Sequence, residues 1–173
     1  MKLLLTGGSG YIGSHAAIEF SKKGHELILV DNFSNSDSST LHALSKILGF
    51  NLPFFENDVR DTHSIYEIIR NNDIEGVVHF AGLKSVSDSV EDPIAYFDNN
   101  VAGTISLLNA MQKAKVGYFI FSSSATVYGE PSELPIKETH ALLPTNPYGQ
   151  SKLYVENILS SLCRADKNFK CVS

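Results

Sequence analysis

Tyr148 and Lys152 stand four residues apart in the segment Asn146-Pro147-Tyr148-Gly149-Gln150-Ser151-Lys152, so on a helix their side chains share one face. Such a pair can move a proton. A free phenol ionises near pH ~10 and is a poor base at neutrality, but an ammonium held close to it favours the phenolate. Bringing a phenol from about 10 to about 7 takes roughly 4 kcal/mol of preferential phenolate stabilisation, which a cation supplies in a poorly hydrated pocket and a solvated one does not. The spacing by itself is common on exposed helices. Two further features give it weight: a glycine-rich turn at the start of the chain, and the run Ser122-Ser123-Ser124 closing an apolar stretch. Together the three predict a hydride-transfer site.

The turn is Thr6-Gly7-Gly8-Ser9-Gly10-Tyr11-Ile12-Gly13, which satisfies GxGxxG through Gly8, Gly10 and Gly13, and GxxGxxG through Gly7, Gly10 and Gly13. Between a strand and a helix, glycines let the backbone approach a pyrophosphate, whose charge is favoured by the free amides and dipole at the helix start. Asp31 ends the second predicted strand. A carboxylate there can accept both ribose hydroxyls and repels a 2′-phosphate, so NAD is expected over NADP. Asp58-Val59 is expected to end the third strand and Phe80-Ala81-Gly82-Leu83-Lys84 to leave the fourth, at the sheet edge where ligands gather. Asn99 reads as a buried polar support. The polar run from Asn32 to Thr40 reads as a loop that also faces the ribose and adenine.

The elements that must position these groups are legible as short apolar runs at Lys2 to Thr6, Glu26 to Val30, Leu52 to Phe55, Gly76 to Phe80 and Tyr118 to Phe121. Between them lie segments of helical character, from about Tyr11 to Lys23, Ser39 to Leu48, Thr62 to Asn71, Pro93 to Lys113 and Tyr148 to Ala165. Continuous rather than alternating apolar strands, separated by helices, predict an α/β fold with a doubly wound parallel sheet. Residues 1–173 are read as one NAD-binding Rossmann domain without internal repeats. The segment from Gly129 to Pro147, with Pro131, Pro135 and Pro144, is either a mobile lid or a connector. Phe169-Lys170-Cys171-Val172-Ser173 begins another apolar run where the sequence stops, which predicts a chain cut before its last strands.

Composition narrows the function classes. With 173 residues, 43% of them hydrophobic, and a formal charge of −5, the chain supports one sizeable core and offers no basic surface for nucleic acid. The two cysteines, Cys163 and Cys171, lack metal-type companions and read as packing residues in a reducing compartment, with no disulfide. The apolar start is too short for a signal peptide, so a cytoplasmic protein without membrane contact is expected. The six histidines show no convergent spacing with carboxylates or cysteines, and no metal is expected.

The segments TGGSGYIGSH, HFAGLKSV, NNVAGT, FSSSATVYG and NPYGQSK, in this order, resemble the extended short-chain dehydrogenase/reductase family, and within it the epimerases of UDP-hexoses. The likeness spans essentially the whole chain. Nucleotide-sugar 4,6-dehydratases usually carry an acidic pair where this chain has Ser124-Ala125. The resemblance implies an isomerase with bound NAD: Tyr148 as the base at the sugar 4-hydroxyl, Ser124 bonded to the same oxygen, Lys152 beside the tyrosine and the nicotinamide ribose, and a transient 4-keto sugar. It implies cofactor contacts at Gly7, Gly10, Tyr11, Ile12, Gly13, Asp31, Asn32, Asn35, Ser36, Asp58, Val59, Phe80, Ala81, Gly82, Lys84, Asn99 and Ser122, besides Tyr148 and Lys152. Lys84, Ser124 and Tyr148 are the implied contacts to the UDP-sugar. Full-length relatives carry a further C-terminal half that grips the UDP-sugar, so the isolated chain is expected to turn over weakly or not at all. A homodimer is implied for the full-length protein, with Ile105, Leu107, Leu108, Val155 and Leu159 as candidate apolar contacts. Two alternatives stand beside this reading: another nucleotide-sugar enzyme, such as a 4,6-dehydratase or uronate epimerase, and a noncatalytic NAD-binding module.

Overall fold

Leu3-Leu4-Leu5 is apolar at successive positions, which requires cover on both faces of its strand. The computed structural model, describing residues 1–173, meets that requirement with helices on both sides of one sheet. In chain order the elements are β1 (Lys2–Thr6), α1 (Tyr11–Lys22), β2 (Glu26–Asp31), α2 (Ser39–Leu48), β3 (Phe54–Glu56), α3 (Thr62–Asn71) and β4 (Gly76–His79). They continue with α4 (Val86–Glu91), α5 (Pro93–Tyr96), a π-helical segment (Phe97–Ala102), α6 (Gly103–Ala114), β5 (Tyr118–Phe121), a 3-10 turn (Ala125–Tyr128), α7 (Pro147–Ala165) and β6 (Lys170–Val172). All strand pairs are parallel, in the order β3-β2-β1-β4-β5-β6. The chain leaves β1 toward one edge for β2 and β3 and returns to its other side for β4, which opens a crevice at the carboxyl ends of β1 and β4.

The pleat sorts the strand side chains between two cores. Leu4, Ile28, Val30, Val77, Phe119 and Phe121 pack with Ile65, Ile68 and Ile69 of α3, Leu107, Leu108 and Met111 of α6, and Val155 and Leu159 of α7. Leu3, Leu5, Leu27, Leu29 and Val78 pack with Ala17 of α1 and Leu44 of α2. Four of the candidate dimer residues, Leu107, Leu108, Val155 and Leu159, are thus core residues, and only Ile105 stays exposed. The helix faces opposite them carry the outward apolar surface: Ile94, Phe97, Val101, Ala102, Ile105 and Tyr154.

Most expected elements form within a residue or two of their expected ends, but three differences bear on the site. Strand β3 stops at Glu56, so Asp58 lies beyond it rather than at its end. Ser85 accepts from Asp88 N and starts α4, a short helix that the apolar periodicity does not announce. The single helix expected from Pro93 to Lys113 is divided by the π-helical segment. There the Thr104 hydroxyl donates to Asn100 O at 2.6 Å. The cysteines are unpaired, with their sulfurs 3.4 Å apart between the last turn of α7 and β6. No helix is long and apolar enough to cross a membrane.

Candidate active site

The glycine turn lies directly past β1. A Cβ on Gly13 would stand 2.2 Å from Gly7 O, so only glycine lets α1 start this close to the strand end. No side chain caps α1, whose N-cap is Gly10. Its first amides, which no helix satisfies internally, therefore lack a side-chain partner as well, and Tyr11, Ile12 and Gly13 line an open crevice of about 780 Å³, solvent space included. A dinucleotide pyrophosphate fits this arrangement: free amides, a favourable dipole and no side chain in the way.

Asp31 is buried at the tip of β2. Its carboxylate accepts from Ser9 N (3.1 Å), Phe33 N (3.0 Å) and the Ser36 hydroxyl (2.9 Å). A carboxylate offers about four acceptor sites, so these bonds leave part of its capacity open. Ser9 and Ser36 are also bonded to each other at 2.9 Å, which ties the glycine turn to the loop after β2. That loop supplies Asn32, Ser34, Asn35 and Ser36 to the crevice wall.

Past β3, Val59 lines the crevice together with Asn57, while Asp58 does not. The Asp58 carboxylate is occupied by Arg60 through Nε (3.0 Å) and Nη2 (2.8 Å), and by Asn32 Nδ2 at 2.8 Å. The Arg60 hydrogen bonds hold its pKa down at about 2. Arg60 also bonds Asp98 at 2.6 Å, closing a bridge from the loop after β3 to the π-helical segment. Asp58 is thereby tied both to Arg60 and to the crevice-lining Asn32.

On the opposite wall lie Phe80, Ala81, Gly82, Leu83, Lys84, Asn99 and Ser122. Asn99 is half-exposed and faces the crevice, and its neighbour Asn100 is the buried support. Asn100 Oδ1 accepts from Leu83 N (2.8 Å), and its Nδ2 donates to Leu83 O (2.9 Å) and Ser151 Oγ (3.1 Å). The widened turn sets which of the two adjacent asparagines faces in. Except for Asp58, Tyr148 and Lys152, every residue expected to contact the cofactor lines this one crevice, joined by Val30, Ser34, Asn57 and Leu83. Of these four, Ser34 lies within the polar run that marked the loop and Leu83 within the segment expected to leave the fourth strand; Val30 and Asn57 carried no signal of their own.

The residues expected to move a proton sit at the Ser122 end. Asn146 Oδ1 caps α7 by accepting from Gly149 N at 2.8 Å, with Pro147 opening the helix. This sets Tyr148 and Lys152 on successive turns of one face. A Cβ on Gly149 would lie 2.8 Å from Thr126 O, so glycine is what allows α7 to press against the 3-10 turn that Ser124 caps. Ser124 Oγ accepts from Thr126 N (3.2 Å) and the Thr126 hydroxyl (2.9 Å). Its own hydrogen is free to donate, and it is not bonded to Tyr148. The Tyr148 ring meets the buried Tyr96 ring edge-on, with centroids 6.5 Å apart. Lys152 Nζ donates to Ser122 O at 2.9 Å and lies 5.8 Å from the Tyr148 ring centroid. Burial lowers the Lys152 pKa to about 8, which leaves the ammonium mostly charged at neutrality. No three His, Cys, Asp or Glu side chains converge as a metal set.

Comparison with known proteins gives a consistent picture. The family model described as GDP-mannose 4,6 dehydratase matches residues 4–173. UDP-glucose 4-epimerase of Dictyostelium discoideum is 45% identical over 99% of this chain, and that of Bacillus subtilis 47% over 98%; each match covers 50% of the relative. The crystal structure of the Stenotrophomonas maltophila UDP-glucose-4-epimerase with bound NAD and formylated UDP-arabinopyranose superposes with a TM-score of 0.97 at 42% identity. That match covers 99% of this chain and 51% of the other. The Bifidobacterium longum UDP-glucose 4-epimerase in complex with NAD+ and UDP gives a TM-score of 0.96 at 45% identity, with the same coverage. The chain thus spans about half the length of the curated relatives it matches.

Proposed function

The chain belongs to the GDP-mannose 4,6 dehydratase family, and on that premise we propose that residues 1–173 are the NAD-binding and proton-transfer part of a UDP-hexose 4-epimerase interconverting UDP-galactose and UDP-glucose. The observation that carries the reading is Lys152 Nζ, held by the crevice-lining Ser122 and 5.8 Å from the Tyr148 ring. The free amides of α1 bind the pyrophosphate, Asp31 accepts a ribose hydroxyl, and Val59 and Phe80 supply apolar wall. The chemistry a bound NAD supplies is that of a hydride acceptor and donor. Tyr148, as phenolate, takes the proton of the sugar 4-hydroxyl and returns it to the same oxygen once the transient 4-keto sugar has turned its other face to the hydride donor, which inverts C4. Lys152 stabilises the phenolate and bonds the nicotinamide ribose. Ser124, its oxygen already satisfied by Thr126, donates its hydrogen to the same sugar oxygen.

Ala125 offers no side chain for acid catalysis next to Ser124, which favours epimerisation over the dehydration that the family description names. Proton NMR of UDP-galactose incubated with the chain and NAD tests this. Growth of the UDP-glucose anomeric signal is the expected result. A 4-keto-6-deoxy product would move the assignment to a dehydratase, and an unchanged spectrum with NAD bound would confine this chain to a cofactor module.

A further inference from the structure

Lys152 is only 6% exposed, and none of the ion pairs in the chain includes it. Its one hydrogen bond is to Ser122 O. A buried ammonium with a single carbonyl partner is costly, so another group must hold it. Phe121, the last residue of β5 and 4% exposed, presents its ring to Lys152 Nζ at 4.8 Å from the centroid. This is within cation–π reach, where the attraction grows as water is removed. The Phe121 ring stacks on His79, with centroids 6.0 Å apart and planes inclined by 25°. Burial keeps His79 neutral, with its pKa pushed down to about 3, so the imidazole adds no repelling charge beside the ammonium.

We propose that Phe121 is the positioning residue for the Lys152 ammonium, its ring face standing where a buried lysine would otherwise need a carboxylate. The choice has a chemical consequence. A carboxylate would cancel the positive field at Tyr148 and consume the ammonium hydrogens. A π face holds the cation while leaving its charge and two N–H groups for the phenolate and the ribose. An aliphatic residue at position 121 would fill the core but leave the cation with one carbonyl. The inference rests on the reading of Lys152 as the partner of Tyr148 and the dinucleotide, yet it is tested without turnover.

The test replaces Phe121 site-specifically by phenylalanines carrying one, two and three ring fluorines, which keep the shape while draining the negative ring face. The Lys152 ammonium is then titrated by NMR of Cε-labelled lysine, its signal identified by its loss in Lys152→Arg. The expected result is a stepwise fall of the Lys152 pKa, by roughly 0.5 to 1 unit across the series, with thermal unfolding unchanged; Phe121→Leu should produce a fall of similar size. An identical pKa across the folded fluorinated series would overturn the proposal. Failure of NAD to bind the unmodified chain would refute the cofactor reading and leave this titration as it stands.

Discussion

At the scale of single residues, the Tyr148 hydroxyl carries the proposed chemistry and little of the fold, because the ring is held edge-on by Tyr96 and not by a hydrogen bond from its oxygen. Tyr148→Phe is therefore expected to slow epimerisation by roughly 10²- to 10⁴-fold while leaving NAD affinity within a few-fold, read by the same NMR assay and by calorimetry. Lys152 makes a separate prediction about stability. Its folded pKa of about 8 lies below the ordinary 10.5, so the folded chain holds the charged form at a cost that is complete below pH 8 and relieved as pH rises toward 10.5. Lys152→Met should stabilise the chain by up to about 3 kcal/mol at pH 7, with the gain vanishing near pH ~10.5 in urea denaturation. His79 works in the acid range. Thr104 donates its hydroxyl hydrogen to Asn100 O, so it accepts from His79 Nε2 at 3.0 Å, and Nδ1 accepts from the Thr6 hydroxyl at 2.6 Å. Burial sets its folded pKa at about 3, below the ordinary 6.5. Stability is thus full above pH 6.5 and falls with acidification toward 3. Comparing pH–stability curves of the native chain and His79→Phe should show that one proton's slope, about 1.4 kcal/mol per pH unit, is missing from the variant in that window.

At the scale of elements, the two ends of α7 are fixed by different means. Its first turn is locked by Asn146, Pro147 and the close approach of Gly149 to Thr126 O. Its last turn meets the short edge strand β6 through Cys163 and Cys171, both half-exposed, with sulfurs 3.4 Å apart. The packing role expected from the sequence holds for the reduced chain, but this contact is also within reach of oxidation. Treatment with oxidised glutathione is expected to join the two sulfurs, releasing two molecules of reduced glutathione. The loss of two hydrogens should appear by mass spectrometry, with roughly 2 to 3 kcal/mol of added stability from closing so short a loop. Persistent free thiols after that treatment would show that the geometry does not relax to a bond. Here the sequence was silent, since cysteines separated by a helix end and a turn meet only once β6 adds to β5.

At the scale of the molecule, apolar surface remains in two places. On the sheet face shared with α1 and α2, Tyr118, Ile120 and Val172 of β5 and β6 are exposed. On the outer face of α5, the π-helical segment, α6 and α7, Ile94, Phe97, Val101, Ile105 and Tyr154 form a continuous patch in which the Phe97 and Tyr154 rings lie 5.8 Å apart. The second lies on α6 and α7, the helices on which the expected homodimer contacts were placed. The double substitution Ile94→Glu with Ile105→Glu, at positions 74% and 41% exposed, is expected to weaken self-association by at least about 10-fold without changing the unfolding midpoint. Sedimentation equilibrium reads this directly, and an unaltered dimer would transfer the interface to the β5–β6 face.

What the sequence determined by itself is whatever a short segment encodes. Continuous apolar runs imposed parallel strands, buried on both faces in β1, β2 and β4 but on one face only in β5, glycine spacing imposed the turn before α1, and strand ends marked the crevice wall from Asp31 to Ser122. Those properties follow from backbone sterics and burial, which a few neighbouring residues decide. Tertiary structure alone decided the choices between near neighbours. Asn100 and not Asn99 became the buried support because a widened turn rotated them against Leu83 and Ser151. Asp58 became tied to Arg60, which Asp98 holds in turn, and to Asn32 of the loop after β2. Leu107, Leu108, Val155 and Leu159 went inward because the sheet and α3 claimed that face of α6 and α7. The Lys152 ammonium met a phenyl ring instead of a carboxylate because β5 ends beside α7. In each case a residue far away in sequence takes part, so only the three-dimensional arrangement of the crossovers could decide the outcome.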